Sequence, residues 1–349
     1  MTASSQNQAR RRVYVAYTGG TIGMQRSASG YVPSPGFLAS ELERSPELAH
    51  PSMPEYELQG YEPLLDSANM TPAHWLAIAQ DIERRYDDFD GFVVLHGTDT
   101  LAYTASALAF MLQGLSKPVV LTGSQIPLAE LRNDARTNLI TALQVAGGYD
   151  IPEVCLVFGN RLMRGCRTTK VNAEGLDAFA SPRFPDLGDI GTRIKIHWER
   201  VRKPHDSIDG LEIRSLAGPT VGALRLFPGL NARFLENALQ APLEGLVLEC
   251  YGIGNGHEHD QAFLKALRAA TDRGVVVVGT TQCLKGAVDL SGYATGQALA
   301  DAGVISGLDM TAEAALAKLH YLFSTGLAPE RVREEMQRNL RGELTASRG

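Results

Sequence analysis

Val13-Tyr14-Val15-Ala16-Tyr17-Thr18-Gly19-Gly20-Thr21-Ile22-Gly23 is the stretch on which the fold turns. Its first five residues are continuously apolar rather than alternating. That is the pattern of a strand buried on both faces, as in a parallel sheet covered by helices. The run then breaks into glycines and hydroxyls. In doubly wound α/β folds ligands bind beyond the carboxyl ends of the strands, so the chemistry is to be sought in the residues just after each apolar run. The same profile recurs at 92–95, leading into His96-Gly97-Thr98-Asp99-Thr100, and at 119–122, leading into Gly123-Ser124-Gln125. Further runs lie at 154–158, 246–248 and 275–278.

Helical patterns separate these runs. Thr71-Pro72 supplies an N-cap with proline in the first turn and predicts a helix to residue 86. Others are predicted over 101–113 and over 133–146, the second stopped by Gly147-Gly148. The alternation predicts an α/β chain whose larger N-terminal domain is a doubly wound, Rossmann-like sheet. Between 181 and 219 the character changes, with Pro182, Pro185, Pro204 and Pro219 among scattered charges. We therefore expect an N-terminal catalytic domain at 12–190, a connection at 191–218 and a smaller C-terminal α/β domain at 219–343. The second domain should hold strands near 221–226, 245–248 and 275–278, with helices near 260–272, 312–323 and 329–340.

Composition narrows the function classes. At 349 residues the chain exceeds one ordinary core and suits two domains. Its 44% hydrophobic and 21% charged residues fit neither a disordered chain nor a coiled coil. A net charge of −6 argues against a nucleic-acid partner, which would want a basic face. Cys155, Cys166, Cys250 and Cys283 are far apart and form no C-x-x-C pair, which predicts reduced thiols in a cytoplasmic protein and no zinc site. Arg10-Arg11-Arg12 precedes an apolar run too short for a secretory signal and reads as a basic lead into the first strand. No segment approaches a membrane span. His257-Glu258-His259 lacks H-E-x-x-H spacing and reads as a solvated loop, so neither metal nor cofactor is expected.

The glycines of 18–23 let the backbone approach a ligand and turn N–H groups toward it. They match neither G-x-G-x-x-G nor a P-loop. A threonine nucleophile beside an oxyanion-stabilising nest and a plain structural turn both fit. Thr98-Asp99 offers a hydroxyl and a carboxylate that would orient it or bind an ammonium; the same pair would also cap a helix. Lys170 in Arg167-Thr168-Thr169-Lys170 can act as a base where burial or nearby cations favour its neutral form, or can be a surface lysine.

Taken together, these segments resemble the bacterial-type L-asparaginases, specifically the cytoplasmic type I branch, over 12–344. The resemblance rests on YTGGTIG at 17–23, Asp66-Ser67, LHGTDT at 95–100, TGSQIP at 122–127, RGCRTTK at 164–170 and DAFASP at 177–182. It implies that Thr21 attacks the side-chain amide of L-asparagine and that Tyr31, on a lid over 22–36, assists. It implies that Thr98, Asp99 and Lys170 form a second catalytic set. Ser67 and Asp99, with Asp66, would hold the substrate's α-carboxylate and α-ammonium. It further implies a homodimer or dimer of dimers in which a partner subunit closes the site, with Asn255 and Glu313 as candidates. Rival readings are a dual asparaginase–glutaminase, an amidotransferase subunit acting on charged tRNA, and a non-catalytic amino-acid sensor. The tRNA reading would want a nucleic-acid-facing module or a basic face; loss of Thr21, Thr98 or Lys170 would mark the sensor, and all three are present.

The chain departs from the resemblance in one place. Some cytoplasmic members use an arginine just before the Tyr-Gly-x-Gly-Asn loop to bind an effector asparagine, and this chain has Glu249 there. A carboxylate replaces a carboxylate-binding fork. Initial rates should therefore rise hyperbolically with asparagine concentration, and a sigmoidal curve would overturn this reading.

Overall fold

The computed structural model describes residues 10–346 apart from 29, 35, 205–209 and 293. Residues 29 and 35 of the expected lid, and 205–209 of the expected connection, thus lie outside the described residues.

Numbering the strands of the two main sheets in chain order, the first sheet contains β1 (Arg12–Gly19), β2 (Glu55–Leu65), β3 (Gly91–Leu95), β4 (Val119–Thr122), β5 (Val154–Phe158), β6 (Arg161–Arg164), β7 (Gly188–Ile190) and β8 (Ile194–Ile196). Their spatial order is β8-β7-β6-β5-β4-β3-β1-β2. The strands from β2 to β5 are parallel, and β6, β7 and β8 extend the sheet with antiparallel pairings. Side chains alternate across a strand, and here both sides are covered. Tyr14, Ala16, Phe92, Val94 and Leu121 share one core with residues of helices Pro72–Arg84 and Leu101–Met111. Val13, Val15, Val93, Leu95 and Val120 share another with residues of helix Ala135–Gly148. Double burial is why these strands read as unbroken apolar runs.

The second sheet is parallel throughout, in the order β9 (Val221–Arg225), β10 (Gly245–Cys250), β11 (Val276–Thr281) and β12 (Ile305–Ser306). Helix Gln261–Asp272 covers one side through Phe263 and Leu267. Helices Ala312–Ser324 and Pro329–Met336 cover the other through Ala315, Leu319, Val332 and Met336.

Two expectations need correction. The segment expected as a connection contains β8, which belongs to the first sheet, and Glu212–Ile213, which pairs with Leu112–Gln113. A three-residue strand such as Ile194-Lys195-Ile196 shows too little periodicity to stand out among prolines and charges. The helix expected over 101–113 ends at Met111, because Leu112 and Gln113 turn into that short pairing.

The domains meet where helix Leu101–Met111 lies against helix Ala312–Ser324, with the rings of Phe110 and Tyr321 stacked 5.6 Å apart. Buried charge reinforces the contact. Arg167, 1% exposed, reaches Asp309 at 2.9 Å and donates to the Gly342 carbonyl at 2.6 Å. Within the second domain, Lys318 and Glu343, both fully buried, pair at 2.5 Å and hold the segment whose Gly342 carbonyl meets Arg167. Removing one member of such a pair strands the other in a low dielectric. Lys318→Met should lower the free energy of unfolding by about 3–5 kcal/mol, and adding Glu343→Gln should recover most of the loss. Urea titration of both variants measures this; a double variant no more stable than the single would refute the pairing's role.

Candidate active site

The carboxyl ends of β1, β2 and β3 are drawn together by contacts that only glycine permits. A Cβ on Gly19, at φ 137°, would lie 2.2 Å from the Leu65 carbonyl oxygen. One on Gly20, at φ 90°, would lie 2.4 Å from the Gly97 Cα. One on Gly97 would lie 2.4 Å from Ser67 Oγ. Thr18 Oγ1 completes the stitch by donating to the Leu95 carbonyl at 2.9 Å. The three loops after these strands therefore touch, and they deliver Thr21, Ser67 and Thr98-Asp99 to one rim.

Thr21 is half-buried and opens a single 3₁₀ turn, Thr21–Gly23. Ser67 is buried, and its carbonyl accepts from Thr100 Oγ1 at 2.7 Å, tying β2's loop to β3's. Lys170 Nζ donates to Thr98 Oγ1 and to Asp99 Oδ1, each at 2.9 Å. Thr98 is buried and Asp99 exposed, so the ammonium bridges a sheltered hydroxyl and a solvated carboxylate. Lys170 comes from far along the chain and is held by antiparallel pairing of Thr169–Lys170 with Phe179–Ala180. This gives RGCRTTK and DAFASP a common task. A further loop, after β4, is fastened by Asp134, whose carboxylate accepts from the Gln125 and Ile126 amides at 3.0 and 2.9 Å.

The remaining candidates are more dispersed. Asp66 is exposed and caps its own turn, accepting from the Ala68 amide at 3.1 Å and Asn69 Nδ2 at 2.9 Å. Tyr31 belongs to the strand Gly30–Pro33, which packs against the turn Thr21–Gly23. It lies 44% exposed on the hairpin Met24–Ser27/Gly30–Pro33, donating to Glu130 Oε1 at 2.7 Å, a bond that raises its phenol's pKa. Glu313 was expected to reach out from a partner subunit. It is instead buried within its own chain, accepting from Thr169 Oγ1 at 2.7 Å, one residue before Lys170. Burial raises its carboxyl's pKa against the opposing pull of that bond. Asn255 lies in the second domain, in the turn after β10, where its backbone pairs with Tyr251 at 2.9 and 3.0 Å. Glu249, at the end of β10, faces Arg225 at 3.6 Å.

Sequence reading assigned no role to Thr169, Glu130 or Arg183. Arg183 donates to the carbonyls of Thr281 at 2.9 Å, Met310 and Cys283, clamping the segment after Phe179–Ala180 onto the second domain. Nothing in its flanking residues signals this. Among the described residues no three His, Cys, Asp or Glu side chains converge as metal ligands; His257 instead lies 3.3 Å from Tyr251 OH. No helix is long and apolar enough to cross a membrane among the described residues.

What converges is two threonine hydroxyls on facing loops, a lysine bonded to one of them, and a carboxylate beside that lysine. Such a set can activate a hydroxyl, pass a proton and bind a zwitterionic ligand.

Known proteins share this frame. The asparaginase N-terminal family model matches residues 12–202, and the glutaminase/asparaginase C-terminal domain model matches 220–336. L-asparaginase 1 of Escherichia coli K12 is 53% identical over 336 residues, spanning 96% of this chain and 98% of that protein. The 60 kDa lysophospholipase of Mus musculus is 45% identical over 96% of this chain, which corresponds to 63% of its own length. The crystal structure of L-asparaginase I from Vibrio cholerae superposes with a TM-score of 0.89 at 48% identity, covering 97% of this chain and all of that one. Matched in both domains and over nearly its whole length, the chain belongs to the asparaginase family.

Proposed function

We propose that this chain hydrolyses the side-chain amide of L-asparagine to L-aspartate and ammonia through a threonine nucleophile. What supports the reading is the Lys170 ammonium bonded to Thr98 and Asp99, together with the contact of Gly20, which precedes Thr21, against Gly97, which precedes Thr98.

Thr21 Oγ attacks the amide carbon. Its proton passes to the departing nitrogen, the C–N bond breaks, and a β-aspartyl ester remains on Thr21 as ammonia leaves. A water near Thr98 and Lys170 then attacks the ester carbonyl, and Thr21 recovers its proton as aspartate forms. Asp99 carries the charge to meet the substrate's α-ammonium, and Ser67 offers a hydroxyl to its α-carboxylate, with Asp66 beside it. Assistance from Tyr31 requires its hydroxyl to leave Glu130, to which it donates. The working enzyme is read as a cytoplasmic homo-oligomer, a dimer or dimer of dimers that needs no cofactor.

Glutamine is the closest competing substrate. One methylene separates the two amides, typically worth about 1–3 kcal/mol of discrimination. A dual asparaginase–glutaminase is therefore decided by the ratio of kcat/KM values.

The test is ammonia release by purified protein. Wild type should turn over L-asparagine, and Thr21→Ala should lower kcat by about a thousandfold or more. Lys170→Met should fall by about a hundredfold or more, through loss of proton transfer. An active Thr21→Ala enzyme would remove Thr21 as nucleophile. A folded wild type inert toward both asparagine and glutamine would remove the reading itself.

A further inference from the structure

His96 is part of the motif that carries Thr98 and Asp99, yet the proposed chemistry gives it no task. It is 1% exposed, with Nδ1 2.7 Å from the Gly97 carbonyl oxygen and Nε2 3.0 Å from Thr104 Oγ1. Thr104, fully buried on helix Leu101–Met111, is in turn 3.1 Å from Trp75 Nε1 on helix Pro72–Arg84. We propose that Trp75, Thr104 and His96 form a one-directional hydrogen-bond relay that fixes the Gly97–Thr98 peptide, making His96 and Thr104 positioning residues for Thr98 and Asp99. The inference deepens the proposed asparaginase function and rests on it for the role of those two residues.

The direction of every bond is set by which groups can donate. A carbonyl oxygen only accepts, so His96 Nδ1 must carry the proton toward Gly97. Burial keeps the imidazole neutral, its pKa pushed down to about 4, so Nε2 holds a lone pair. Thr104 must then donate to Nε2. Its oxygen is left to accept from Trp75 Nε1–H, a group that can only donate. No member has an alternative that leaves its neighbour satisfied, and an unsatisfied buried group is costly.

The target of the relay explains why it matters. Gly97 must be glycine because Ser67 and Gly20 crowd it, and glycine brings no side chain to resist rotation about its own bonds. The peptide it shares with Thr98 is planar, so holding its carbonyl fixes the entry of the chain into Thr98. Lys170 then finds Thr98 Oγ1 and Asp99 Oδ1 where a single ammonium can reach both. The relay starts at the domain boundary, since the Trp75 ring meets the edge of His320 on helix Ala312–Ser324 at 6.5 Å.

Two measurements test this. An asparagine amide can stand in for Nδ1 and a glutamine amide for Nε2, so His96→Asn should stay within about fivefold of wild-type kcat while His96→Gln loses about tenfold or more. Thr104→Val, of nearly equal volume, should remain folded and lose about tenfold in kcat with a smaller change in KM, and Thr104→Ser should restore it. A purely structural role would lower melting temperature without this split. Folded Thr104→Val and His96→Gln proteins with wild-type kcat would overturn the proposal, as would His96→Asn falling as far as His96→Gln. Independently of catalysis, ¹⁵N-histidine NMR should show His96 as the neutral Nδ1–H tautomer near neutral pH. An Nε2–H tautomer or an imidazolium would overturn the relay. A wild type inert toward asparagine, with the Nδ1–H tautomer present, would instead count against the function and leave the relay standing.

Discussion

No side chain fits between Gly20 and Gly97. The ends of two adjacent parallel strands come so close there that a single methyl group would sit 2.4 Å from the facing backbone. Everything at the rim depends on that closeness. It brings the residue before Thr21 against the residue before Thr98, presses Ser67 against Gly97, and leaves Thr98 bonded to Lys170. A sheet brings strand ends within about 5 Å of one another in any case; glycine removes the remaining separation, at the entropic cost that glycine always carries.

The second domain contributes to this rim from behind. Helix Ala312–Ser324 touches both halves of the site through its own chain. At its start, Glu313 holds Thr169 beside Lys170; further along, His320 meets Trp75, where the bonds toward Gly97 begin. Arg167 and Arg183, on either side of the Lys170 hairpin, are anchored in the second domain as well. Buried pairs of this kind contribute little net stability against hydrophobic replacements of similar shape. Their value here lies in geometry, since each has one arrangement that satisfies all its hydrogen bonds.

Much of this was legible in the sequence, and the limits have physical causes. Strands β1, β3, β4 and β5 are buried on both faces and therefore announce themselves as apolar runs. Strand β2 does not: it lies at the sheet's edge with alternating exposure, and its Glu55, Glu57 and Glu62 hide it. Lys170 was expected beside Thr98 and Asp99 because the short motifs around them match a family, and the fold joins the three. Tyr31 and Glu313 were named for the same reason, but their partners were not foreseeable. Glu130 is 99 residues from Tyr31, and Thr169 is 144 from Glu313. Contacts at that separation arise from how helices and sheets pack, which no local pattern records. Arg167 shows the same limit. Composition places arginine at the surface, and only the assembled fold supplies the Asp309 carboxylate and Gly342 carbonyl that let it be buried.

The Arg167 contact bears on how the molecule is made. A ribosome builds the chain from its amino end, and domains tend to fold as they emerge. Arg167 appears 142 residues before Asp309 and 175 before Gly342. Throughout that interval the nascent first domain carries a guanidinium destined for burial with nothing yet to neutralise it. The Arg167–Lys170 segment therefore cannot reach its final packing until the second domain has been made, although its own sequence is complete long before.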